Sequence, residues 1–211
     1  MFITLEGIEG AGKTTQLGYL VEFLERKGHK CVVTREPGGT RIGGAIRKLL
    51  LDPANSDLVP EAELLLYAAD RAQHVRQVIT PALSAGKTVV CDRFYDATEA
   101  YQGIARGLDM DLIRMLNRVA SGGLVPDITI LLDISPEAGL KRAWERISRN
   151  GQDADDCRFE NEAITFHTRV RQGYLDIAER EPGRFIVVNA DGTKLEVKTR
   201  MIDAVACRIG G

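Results

Sequence analysis

The segment Gly7-Ile8-Glu9-Gly10-Ala11-Gly12-Lys13-Thr14 constrains this chain more than any other. It sets Gly-x-x-x-x-Gly-Lys-Thr directly after the apolar run Phe2–Glu6. It also directly precedes a stretch in which Leu17, Leu20, Val21 and Leu24 recur at i, i+3, i+4 and i+7 and which stops near Gly28. Strand, glycine loop and helix in that order let successive backbone N–H groups and the helix N-terminus face a phosphate. The glycines permit the tight turn, Lys13 can reach a β- or γ-phosphate, and the Thr14 hydroxyl can ligate Mg2+. The bland alternative is a glycine-rich turn without a ligand.

Four further apolar runs, Cys31–Thr34, Thr88–Asp92, Ile128–Asp133 and Phe185–Val188, are short and rich in Val or Ile. They predict strands buried on both faces of a parallel sheet. Leu64, Ala68, Ala72, Val75, Ile79 and Ala82 predict a long helix over residues 61–85. Strands alternating with helices imply right-handed crossovers, hence an α/β chain with a doubly wound sheet of about five parallel strands and flanking helices, of the P-loop NTPase type. No repeat or Pro/Ser-rich linker divides the sequence, so residues 1–211 read as one domain. The polar stretch Asn150–Asp156 is a lid candidate within a lid region of about 142–160.

Composition removes several other functions. Lys plus Arg is 28 against 30 for Asp plus Glu, a net charge of −2, which leaves no bulk cationic surface for nucleic acid or an anionic membrane. At 44% hydrophobic residues the chain can bury a core, and disorder is excluded as a global reading. No run reaches the roughly 18 apolar residues of a membrane span, and the N-terminus lacks the pattern of a secretory signal, so a cytoplasmic protein is expected. Cys31, Cys91, Cys157 and Cys207 are too widely spaced for a metal site. Cys31 and Cys91 are expected to pack as small hydrophobes.

Asp92 ends an apolar run, the position from which a carboxylate acts on Mg2+ or its water shell beside a phosphate loop. A GTPase switch is excluded: no Asp lies three residues before a Gly, and there is no Asn-Lys pair. The chain resembles the bacterial thymidylate kinases from Phe2 to about Asp191. The resemblance rests on GIEGAGKTT (7–15), TREPGGT (34–40), LLLYAADRAQH (64–74), DRF (92–94) with AYQG (100–103), and GLVPDITILLDI (123–134), in that order, followed by an arginine-containing lid.

The resemblance implies phosphoryl transfer from ATP to dTMP, giving dTDP and ADP for dTTP synthesis. Kinases for another nucleoside monophosphate or a deoxynucleoside remain as alternatives, and so does a nucleotide-binding module without transfer. Gly7, Ile8, Glu9, Gly10, Ala11, Gly12, Lys13 and Thr14 would bind ATP, with Thr14 and Asp92, the latter through water, at Mg2+. On the acceptor side, Arg93 matches a phosphate clamp and Arg47 a second phosphate contact, beside the wall made by Glu36 and Pro37. Tyr67 takes the place of a Phe that stacks on thymine, and Arg71, four residues on and so on the same helix face, matches a base contact. Thr98 and Gln102 match polar contacts to the base, Tyr101 a residue that crowds the sugar 2′ position, and Glu9 a contact to the 3′-hydroxyl. Ala97 departs from the hydroxyl residue expected there.

The acceptor phosphate has a second pKa of about 6 and is already nucleophilic near neutrality, so cation placement rather than a general base is the expected catalytic device. Lys13, Arg93 and Glu9 are the expected catalytic residues of the body. Because Gly10 and not an arginine follows Glu9, the lid is expected to supply a further arginine: Arg149 first, with Arg146 or Arg158 as alternatives. The family also implies a homodimer and small nucleotides as partners, and on the charge balance no nucleic-acid or membrane partner is expected.

Overall fold

The computed structural model describes residues 1–150 and 157–210, with no account of the Asn150 side chain. The five apolar runs form five strands: β1 (Phe2–Glu6), β2 (Cys31–Arg35), β3 (Thr88–Asp92), β4 (Ile128–Asp133) and β5 (Phe185–Asn189). All pairs are parallel, in the order β2-β3-β1-β4-β5. Two strands run one residue beyond their expected ends, β2 to Arg35 and β5 to Asn189. No two strands can be joined by a hairpin in a parallel sheet, so every connection crosses over through helix.

Alternation along each strand sends side chains to opposite faces and so builds two cores. Ile3, Leu5, Val90, Ile130 and Leu132 belong to the larger one, with Leu17, Leu20 and Leu24 of α1 (Lys13–Arg26). Phe2, Val89 and Cys91 belong to the smaller one, with Val75, Ile79 and Ala82. The expectation of burial on both faces holds for β1, β3 and β4. It fails for β2 and β5, where Val33 and Val187 are about half exposed because these are edge strands, flanked on one side only. Cys91 is buried as expected, whereas Cys31 is only half-buried on its edge.

The remaining helices are α2 (Arg41–Leu51), α3 (Pro60–His74), α4 (Thr80–Ser84), α5 (Tyr95–Thr98), α6 (Met110–Ser121), α7 (Pro136–Asn150), α8 (Ile164–Arg180) and α9 (Lys194–Ile209). The expected long helix over 61–85 is present in extent but divided: α3 passes through a π-helical turn, Val75–Ile79, into α4. The turn closes where the Thr80 N–H bonds the Val75 carbonyl, just before Pro81, which has no N–H to continue an α-helical ladder. A second π-helical segment, Glu99–Ala105, follows α5. The lid region is described as α7 and residues 157–160, and the intervening lid stretch 151–156 lies outside the described residues. Among the described residues no helix is long and apolar enough to cross a membrane.

Candidate active site

The carboxyl ends of β1 and β3 lie level, since Leu5 is in register with Asp92, and the two loops that leave them meet at this edge. Residues 7–12 form the loop after β1, and α1 begins at Lys13. Gly7, Gly10 and Gly12 all have positive φ, which an L side chain rarely adopts. At Gly10 space is also decisive: a Cβ would lie 1.9 Å from the Gly139 carbonyl oxygen of α7. Lys13 Nζ curls back to donate to the carbonyls of Gly7 and Ile8, each at 2.9 Å. Burial, followed by the nearby Arg93 charge, lowers its pKa to about 8 against the pull of Asp92, Glu9 and Glu6. The Thr14 hydroxyl oxygen stands 3.4 Å from Asp92 Oδ2. A hydroxyl and a carboxylate converging at the loop are hard oxygen donors that suit Mg2+, which is ordinarily completed by phosphate and water.

Arg93 follows β3 at φ 68°, the one non-glycine positive φ among the described residues, so the chain is strained where its guanidinium enters the cleft. Its Nη1 donates to the Tyr174 hydroxyl at 2.9 Å, and its Nη2 donates to Glu9 Oε1 at 2.9 Å and the Tyr101 hydroxyl at 3.0 Å. The Tyr101 hydroxyl in turn donates to the same Glu9 oxygen at 2.5 Å. Burial would raise the pKa of Glu9, but the His167 hydrogen bond, then Arg93, Lys13 and Tyr101, outweigh it and hold the carboxyl well below the usual range. Beneath this group, Glu6 is wholly buried, accepting from the Phe94 N–H and the Tyr174 hydroxyl at 2.7 Å each.

A second polar group is built around Arg71, which lines the same cleft. Arg71 is only 1% exposed. Its Nε donates to Glu36 at 2.9 Å, Nη1 to Asn117 of α6 at 2.9 Å, and Nη2 to Thr98 at 3.1 Å. His74 bonds the other Glu36 oxygen at 2.8 Å. Gln102 donates to the buried Glu63 at 2.8 Å. Tyr67 stands half-buried on the α3 face that carries Arg71, and burial pushes its hydroxyl pKa up. Arg47 donates to the Pro37 carbonyl at 3.3 Å.

The phosphate loop from Glu9, the Asp92-Arg93 turn and Arg71 with its neighbours line one cleft of about 910 Å3. It brings together Glu9 to Thr14, Glu36, Pro37, Arg47, Tyr67, Arg71, Asp92, Arg93, Thr98, Tyr101 and Gln102, with Arg142, Arg146 and Arg149 of α7 along the rim. Gly7 and Ile8 do not line it. Gly7 packs against the Leu132 carbonyl, and Ile8 is buried in the core. Arg149 is largely exposed, 3.7 Å from Glu145, and Arg146 donates to Glu160 at 3.3 Å. The alternative lid arginine, Arg158, is turned away from the cleft: it donates to Glu63 at 2.5 Å and to the Leu50 carbonyl at 3.2 Å.

Sequence reasoning missed His167, Tyr174, Asn117 and Glu63. The usable signal was on α8, where His167 and Tyr174 interrupt the buried stripe of Phe166, Val170 and Ile177 with polar atoms.

The thymidylate kinase family model matches residues 5–201. The thymidylate kinase of Desulfosudis oleivorans is 71% identical over 205 residues, 97% of this chain and 96% of its own. That of Desulforapulum autotrophicum is 54% identical over 210 residues, 100% of this chain and 92% of its own. The crystal structure of thymidylate kinase from Ehrlichia chaffeensis superposes with a TM-score of 0.78 at 35% identity, covering 97% of this chain and 98% of that one. With the phosphate loop, the Asp92-Arg93 turn and the Tyr67/Arg71 wall gathered on one cleft, the chain belongs to the thymidylate kinase family.

Proposed function

We propose that this chain transfers the γ-phosphoryl group of ATP to dTMP, giving ADP and dTDP for dTTP synthesis. The observation that carries the reading is the placement of Lys13, Arg93, Tyr67 and Arg71 along a single cleft. Lys13 and the loop from Glu9 to Thr14 then take the ATP phosphates, and Arg93 with Arg47 takes the acceptor phosphate through guanidinium N–H groups. Tyr67 offers a π face to the base, and Arg71, Thr98 and Gln102 offer polar atoms to its edge. Glu9 and Tyr101 stand beside the sugar.

Two anions have to approach each other, so the chain's contribution is positive charge and in-line placement. The acceptor phosphate is already dianionic near neutral pH and needs no base. Thr14 and Asp92 would hold Mg2+, which when bound supplies charge neutralisation at the ATP phosphates. Arg149 on the rim is the proposed further cation toward the transferred group.

The reading includes a cytoplasmic homodimer acting on small nucleotides, with no role for nucleic acid or membrane. In support of the dimer, Leu112, Met115 and Val119 recur at i, i+3 and i+7 on α6 and are exposed. Sedimentation equilibrium checks that part. The function is tested by ADP release across dTMP, dUMP, dCMP, GMP and thymidine with ATP and Mg2+. Fast turnover of dTMP is expected, and preference for any other acceptor, or ATP binding without transfer, would overturn the reading.

A further inference from the structure

His167, Arg171 and Tyr174 stand at i, i+4 and i+7 on α8, so they share one face, and each meets an acid at the carboxyl edge of the sheet. Tyr174 donates to Glu6 at 2.7 Å. Arg171 forks Asp133 at 2.7 and 2.9 Å. His167 Nδ1 lies 3.1 Å from Glu9 Oε2. The imidazole is wholly buried, and its Nε2 has no hydrogen-bond partner among the described residues. Among the described residues the ring therefore makes one hydrogen bond, and that bond is to the phosphate-loop acid.

Glu9 is an ionised carboxylate among Arg93, Lys13 and Tyr101, so its oxygens only accept. Nδ1 must then carry the hydrogen and donate it. Oε1 is already taken by the Tyr101 hydroxyl and Arg93, while His167 is the partner of Oε2. Without that bond Oε2 loses its partner, and the carboxylate can pivot about the Oε1 end that Tyr101 and Arg93 still hold.

We propose that His167 is a positioning residue for the acceptor nucleotide: by holding Oε2 of Glu9 it fixes Oε1 at the junction of Tyr101 and Arg93, and so shapes the acceptor side of the cleft before dTMP enters. This rests on the kinase reading above. The test uses three variants of the full chain. His167→Phe keeps ring bulk and removes the donor. His167→Asn keeps an N–H at the place of Nδ1, whereas His167→Gln moves it toward the place of Nε2.

For His167→Phe the KM for dTMP should rise about tenfold, the size of a lost hydrogen bond to a charged group, while the KM for ATP stays within about twofold. His167→Asn should recover most of the loss and His167→Gln should not, with all melting temperatures recorded alongside. An unchanged dTMP KM, an equal rise in both KM values, or Asn and Gln variants that behave alike would overturn the proposal. If the Phe variant does not fold, the Asn and Gln pair decides. Wild-type protein is the control: failure to phosphorylate dTMP at all would sink the kinase reading, whereas a difference confined to the variants bears on His167 alone.

Discussion

Arg93 and Glu9 are joined by a 2.9 Å bond from Nη2 to Oε1, so the strained residue after β3 is tied to the loop after β1. A guanidinium has five N–H donors. Glu9 and Tyr101 take both hydrogens of Arg93 Nη2 and Tyr174 takes one of Nη1, which orients the guanidinium and leaves Nε–H and one Nη1–H as its unused donors among the described residues. Arg93→Ala should lower dTMP-dependent turnover by about a thousandfold or more in steady-state ADP release. Arg93→Lys should not restore it, because an ammonium cannot reproduce the planar fork. Activity within tenfold of wild type in either variant would remove Arg93 from the mechanism.

What the sequence disclosed follows the range of the interactions. The phosphate loop is contiguous, and the Tyr67–Arg71 wall is a four-residue helical spacing, so both were legible. The five strands announced themselves as apolar runs, with errors confined to edge exposure and single terminal residues. The π-helical turn at Val75–Ile79 left the buried periodicity intact and was therefore invisible to it. His167 and Glu9 are 158 positions apart, and Arg71 and Asn117 are 46 apart, so nothing local marks either pair. Arg158 was a plausible lid cation by position, and only the buried Glu63 across the fold shows where it goes.

The buried pair of Arg71 and Glu36 separates a site residue's stability cost from its catalytic one. Both side chains are almost fully enclosed, at 1% and 2% exposure. Removing the guanidinium leaves Glu36 buried with only His74 as side-chain partner among the described residues. Arg71→Ala should therefore cost about 3–5 kcal/mol in urea unfolding. Arg149→Ala, at an exposed rim residue, should cost under about 1 kcal/mol. Equal stability losses would mean that the Arg71 charge is solvated in a way its burial contradicts.

Two loop glycines differ in a way that substitution can resolve. An alanine Cβ at Gly10 would meet the Gly139 carbonyl at 1.9 Å in addition to the strained φ of 71°. At Gly12, φ is 93° and no atom lies within 4 Å of a Cβ. Gly12→Ala should lose about 1–2 kcal/mol from backbone strain alone. Gly10→Ala should lose more, and should abolish ATP binding by displacing the loop from α7. Thermal unfolding and ATP titration of both variants check this, and a Gly10→Ala protein that binds ATP normally would contradict the close approach.

Glu6 makes stability depend on pH. Burial, then repulsion from Asp96, raises its pKa from an ordinary 4.5 to about 8, against the lowering effects of Arg93, Tyr174 and the Phe94 N–H. Between those two values the folded protein keeps a proton that the unfolded chain has lost, so unfolding releases a proton and stability falls as pH rises. The Glu6 contribution is complete below pH 4.5, erodes across the interval and is gone above about 8. Gln is the uncharged mimic: its carbonyl can still accept from Phe94 N–H, and its amide can donate to the Tyr174 oxygen. Urea unfolding at pH 5.5 and pH 8.5 should therefore show wild type losing on the order of a few kcal/mol more than Glu6→Gln. The remaining titrating groups, Asp96 apart, are present in both proteins and cancel in that comparison to first order. Parallel pH slopes for the two proteins would show that Glu6 is ionised throughout, with Arg93 close enough to outweigh its burial.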